Sequence, residues 1–125
     1  MDARLVGKPS SYDGSENRWQ ECAFQMRAYL TLTGLAAATD LSRAEQSRTV
    51  INTAGMDEEN LAKNSTIYYL LCMLCKGASQ LVMRRAPVGN GMEAWRMLTV
   101  RYDNKDDLTA TSMLHMVLVY HWRFS

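Results

Sequence analysis

Net charge, a membrane-length apolar run and strand-type alternation are all missing from this chain. Fourteen Lys and Arg against thirteen Asp and Glu leave a formal charge of +1, and only Arg84-Arg85 adjoin among the basic residues. Binding to phosphate backbones usually needs a basic face, so RNA is not favoured as a partner by this segment's charge. The longest apolar run, Ile67 to Cys75, falls well short of the ~20 residues a spanning helix requires. No membrane partner is expected, and the run reads as part of a buried helix. Met1-Asp2-Ala3-Arg4 carries no apolar h-region, so no secretory signal is seen. The three cysteines are odd in number, and Cys72 and Cys75 lie in the apolar run. That argues against a secreted disulfide framework and for a reducing, cytoplasmic setting.

Reactive constellations are missing as well. Ser10, Ser11, Ser47, Ser65, Ser79 and Ser112 lack any Gly-x-Ser-x-Gly context. No Walker-type or Gly-x-Gly-x-x-Gly loop exists. Val88-Gly89-Asn90-Gly91 is a turn with no strand before it. Cys72-Met73-Leu74-Cys75 is formally a C-x-x-C pair. A redox pair wants its first Cys at a helix N-terminus, whereas this one sits late in an apolar helix. His115 and His121 could complete a zinc set with the two cysteines, but their spacing on a helix does not bring both rings to one face. Small buried thiols account for the cysteines better. Asp57-Glu58-Glu59 and Asp106-Asp107 fall at expected helix starts, where capping explains them more simply than Mg²⁺ does. The expectation is a protein that is not an enzyme, with no cofactor, no metal and no small-molecule substrate.

What is present is helical periodicity. At 125 residues, 47% of them apolar, the chain has one domain's length and can bury about two-thirds of its unfolded surface. Residues 1–14 read as an extended arm, turned by Tyr12-Asp13-Gly14. Residues 15–125 read as one helical domain. Ser15 is the expected N-cap of a helix carrying Trp19, Cys22, Ala23, Met26, Leu30 and Thr33 on one stripe, closed at Gly34. Ser42-Arg43-Ala44-Glu45 reads as a capping box opening a helix with Val50, Ile51 and Ala54 on its apolar side, ended by Gly55. A third helix starts at Asp57-Glu58-Glu59 and runs to about Cys75, with Lys76 in its last turn and Gly77 ending it. Leu61, Tyr68, Leu71, Cys72 and Cys75 form its inner face. Tyr69, Leu70, Met73 and Leu74 make it apolar almost all round, hence central. Short helices follow over about Ala78 to Arg85 and from Asn90 onward. A last one spans about Asp106 to Trp122, with Leu108, Met113, Val117 and Tyr120 along it. The class is all-α, a bundle of about five or six helices.

The stretch from Asn90 to Asp103 is the most informative. Asn90 is an N-cap, Glu93 can complete a capping box, and Trp95, Leu98 and Tyr102 share one face. Gly91-Met92-Glu93-Ala94-Trp95, followed by Leu98 and Tyr102, resembles the G-x-E-A-W-x-x-L-x-x-x-Y segment of retrotransposon Gag proteins. Gly7-Lys8-Pro9, Tyr12, Gly14, Trp19, Met26, Tyr29 and Leu30 are similar to the opening of that family, and the two matches frame residues 7 to 103. The resemblance implies a capsid N-terminal-domain-like bundle that catalyses nothing. In its full-length context such a domain self-associates into a shell around the element's RNA. Trp19, Met26, Leu30, Leu71, Trp95, Leu98 and Tyr102 are the expected core. The chain departs from many Gag proteins in having no Cys-Cys-His-Cys zinc knuckle and no second capsid domain. The alternative is a domesticated host adaptor that binds a protein partner.

Two surface readings remain. Arg84, Arg85, Arg96 and Arg101 are the best basic grouping, and a solvated helix surface explains them better than RNA contact. The chain has nine methionines, and Met is over-used where surfaces repack against partners. From Met113 to Phe124 apolar residues occupy nearly the whole helix circumference. One bundle cannot bury all of it. Met113, Met116, Tyr120, Trp122 and Phe124 are therefore the expected self-association surface, joining copies of the chain into a homo-oligomer. The aromatic-rich end suggests a truncated or partner-covered terminus.

Overall fold

The computed structural model describes residues 9–103. Five α-helices follow in order: α1 Trp19–Leu32, α2 Ala38–Gln46, α3 Glu58–Leu74, α4 Gly77–Arg85 and α5 Gly91–Tyr102. A 3-10 turn, Glu16–Arg18, leads into α1. Among the described residues there is no sheet, only an isolated bridge between Tyr12 and Cys75. The fold is an all-α bundle. No described helix is long and apolar enough to cross a membrane. Residues 1–8, with Gly7 and Lys8, lie outside the described residues. So does the helix expected from Asp106 onward, including Met113, Met116, Tyr120, Trp122 and Phe124.

Helix ends follow local chemistry where a side chain is free to cap. Asp57 accepts a hydrogen bond from the Asn60 N–H at 2.8 Å, with Glu58 and Glu59 in the first turn of α3, where the helix dipole favours acidic groups. Elsewhere tertiary partners decide. The extended arm docks: the Tyr12 N–H donates to Leu74 O at 2.8 Å, and the Lys76 N–H donates to Tyr12 O at 2.7 Å. This pairing ends α3 before Cys75. Gly77 opens α4 instead of closing α3. Its φ is +53°, and a Cβ there would lie 2.9 Å from Asp13 O, so only glycine lets the arm pass this close.

The expected capping box at Ser42 is not used. Ser42 lies inside α2, and residues 47–57 are not helical. Glu45 does not reach back to a helix start. Its Oε2 accepts from Arg27 Nε at 2.7 Å and from Trp95 Nε1 at 2.9 Å. The connector that should have carried Val50 and Ile51 on a helix is tied down through Ile51 to α5.

The centre also differs from expectation. α3 is not enclosed, since Tyr69 and Met73 are 53% and 59% exposed. Its exposed side includes Leu61, and Cys72 is half-buried. The middle position belongs to α5, which packs against α2, α3 and α4. Small residues make this possible. Ala94 is fully buried, and a Cβ on Gly91 would come within 2.5 Å of Asn64 O and 2.6 Å of Ile67 Cβ. Gly91→Ala gains helix propensity of about 1 kcal/mol. It also forces two helices apart, and overpacking of this kind costs typically ~1–3 kcal/mol. The variant is expected to be less stable in urea unfolding, although Ala is the better helix former.

Trp19, Met26, Leu30, Leu71, Trp95, Leu98 and Tyr102 are all buried. The aromatics among them form one cluster with Tyr12. Ring centroids lie 5.5 Å apart for Tyr12 and Trp19, 5.4 Å for Trp19 and Trp95, and 5.9 Å for Trp19 and Tyr102. Tyr12 meets Tyr102 edge-on at 5.1 Å. Sequence periodicity could not find Tyr12, because it lies on the arm and not on a helix.

Candidate functional site

The residues of the Gly-x-Glu-Ala-Trp stretch meet at the junction of α3, α5 and the 47–57 connector. Asn90 caps α5, accepting from the Glu93 N–H at 3.2 Å. The reciprocal half of the capping box is absent, because the Asn90 N–H donates to Pro87 O and the Glu93 carboxylate turns elsewhere. Arg96 binds it bidentately at 2.6 and 2.7 Å, and the Ile51 N–H donates to Oε1 at 2.9 Å. Asn64 Nδ2 donates to Asn90 Oδ1 at 3.0 Å, and Asn64 Oδ1 accepts from the Met92 N–H at 2.8 Å. Asn90 Nδ2 donates to Ile51 O at 2.8 Å. Each buried polar group here has a partner, as a stable buried network requires.

Glu93 is a deeply buried carboxylate, its side chain 3% exposed. Burial pushes its pKa up. The Arg96 hydrogen bonds, the Ile51 N–H and the Arg96 charge together outweigh burial and hold it below the ordinary value. It stays ionised and bound at both oxygens. A general acid or base needs the reverse, a pKa near neutrality and an open oxygen. The arrangement is a clamp.

The cysteines are placed for packing. Burial pushes the Cys75 thiol up to about 11 and raises Cys22 as well, so neither is a nucleophilic thiolate at neutral pH. Among the described residues no three His, Cys, Asp or Glu are grouped to hold a metal. His115 and His121 lie outside the described residues.

Two features of the surface could engage another molecule. A groove of about 520 Å³ opens between α2, the connector and α3. Leu35, Ala36, Ala44, Ile51, Ile67 and Met92 supply its apolar lining, and Asp40, Arg43 and Lys63 also line it. Sequence reading missed it, because the lining comes from widely separated segments and depends on a connector expected to be helical. The second feature is exposed apolar residues pointing outward, Phe24, Tyr69 and Met73 among them.

No known protein family matches the chain, and no similar protein was found among curated proteins or solved structures.

Proposed function

We propose that this chain is a non-catalytic assembly module of the retrotransposon Gag type, acting in the cytoplasm. In its full-length context it self-associates into a shell around retroelement RNA. The observation that carries this reading is the use made of Gly91, Glu93, Ala94 and Trp95. Gly91 and Ala94 admit α3, Glu93 clamps the connector, and Trp95 fills the core. The residues most characteristic of the resemblance are spent on packing, and none is left for chemistry. Met113, Met116, Tyr120, Trp122 and Phe124 are the proposed contact surface between copies.

A second reading is a domesticated adaptor that takes a partner's peptide in the groove between α2 and α3. The apolar lining of that groove favours it. Electron microscopy of the purified chain over a range of concentrations separates the two. Shells or tubes support the Gag reading. Particles of monomer size at every concentration count against it and favour the adaptor.

A further inference from the structure

A second, smaller groove of about 200 Å³ lies between α4 and α5, lined by Val82, Arg85, Arg96, Met97, Val100 and Arg101. Arginines border an apolar slot, and no carboxylate lines it. Pockets for whole small molecules run to ~300–1,000 Å³, so this one has the size for a protruding side chain. Arg96 is neutralised by Glu93. Arg101 lies 4.9 Å over the Tyr102 ring and 3.9 Å from the exposed Glu16. Arg85 pairs with no carboxylate among the described residues. The groove therefore has positive charge left over, and it fits acidic groups beside an aliphatic side chain.

The start of α3 carries that combination. Glu58 and Glu59 are both exposed. Glu59 meets Lys63 at 3.1 Å, whereas Glu58 pairs with no cation among the described residues. Leu61 is 40% exposed and follows Glu58 at i, i+3, on the same helix face. This acidic turn cannot reach Arg101 in its own copy. α5 begins beside the early part of α3, where Gly91 packs on Asn64 and Ile67. It ends near the far end of α3, since Tyr102 meets Tyr12 and the Tyr12 N–H donates to Leu74 O. The 17 residues of α3 span about 25 Å at 1.5 Å rise per residue. Across that length the acidic turn and Arg101 can meet only between copies. We propose that the start of α3 in one copy docks in the α4–α5 groove of a second copy. Glu58 and Glu59 face Arg85 and Arg101, and Leu61 enters between Val82, Met97 and Val100. The proposal rests on the assembly reading and gives it a surface. Exposed ion pairs are individually weak, so the contact orients copies that are also held elsewhere.

The test is photocrosslinking of the full chain with p-benzoyl-phenylalanine in place of Leu61, at about 100 μM, where even weak association shows. Isotopically heavy copies are mixed with light ones, so that crosslinks between copies are recognised by mass. Crosslinks at dimer mass that map to residues 82–101 of the other copy are expected. Arg85→Glu with Arg101→Glu should lower their yield about tenfold, the reach of two exposed ion pairs. Glu58→Lys with Glu59→Lys should lower it equally. Both pairs of changes in one chain should restore the yield, which a loss of folding would not allow. Dimer-mass crosslinks that map elsewhere, or that ignore both charge reversals, would overturn this contact and leave the assembly reading standing. Crosslinks found only at monomer mass would also overturn it. The expected crosslinks from protein that forms no shells would support the contact and count against the shell alone.

Discussion

Trp95→Ala is expected to destabilise the protein by about 3–5 kcal/mol, the range for deleting a buried Trp, and Trp19→Ala by a similar amount. Both rings are almost wholly buried, and they pack on each other. Trp95 carries a second role, since its Nε1–H donates to Glu45 Oε2 at 2.9 Å and so links α5 to α2. Removing it opens a cavity where α1, α2 and α5 meet. Trp19 has no such bond, because its buried Nε1 has no partner among the described residues. Trp19→Phe should therefore cost far less than Trp19→Ala, as only volume is lost. Urea unfolding followed by circular dichroism measures all three. Losses below about 1 kcal/mol for both alanine variants, far under the cost of emptying a core site, would show that the aromatic cluster is not the core.

Glu93→Ala is expected to cost about 3–5 kcal/mol, because it leaves the other half of a buried ion pair uncompensated. Arg96, 13% exposed, would lose both of its close contacts, and the Ile51 N–H would lose its acceptor. The same clamp sets a pH dependence. The native pKa of Glu93 lies below its ordinary 4.5, so the folded state holds this proton more weakly than the unfolded chain does. The resulting stability is fully present above the ordinary value. It is lost as pH falls through the depressed native one. Glu93→Gln should be less stable than the parent at neutral pH, with a gap that narrows as acid is added below about pH 4.5. A gap that stays constant across that range would mean the carboxylate charge contributes nothing.

Much of the helical layout was legible because it rests on neighbours in sequence. Trp95, Leu98 and Tyr102 repeat at helical spacing and are buried together. Asp57 had only to reach Asn60 to cap α3. What was not legible depends on partners far along the chain. Glu45 looked like half of a capping box until Arg27 and Trp95 competed for it. The supposed helix over Val50 and Ile51 gave way to a connector held through Glu93 and Asn90. Tyr12 entered the core from the arm, where no periodicity marks a buried residue. The apolar circumference of α3 suggested a central helix. Gly91 and Ala94 instead give α5 that place, since small residues set how closely helices approach. The groove between α2 and α3 could not be foreseen, because it exists only once the connector is extended.

Self-association is the property on which the assembly reading stands, and sedimentation velocity of the intact chain measures it most directly. The chain is expected to form dimers or larger species by about 100 μM, a concentration that reveals even weak association. Met116→Asp with Trp122→Asp should return it to monomer, as charges in an apolar interface core are disfavoured. An intact chain that remains strictly monomeric at that concentration would contradict the account, and so would an oligomer that the double variant leaves unchanged.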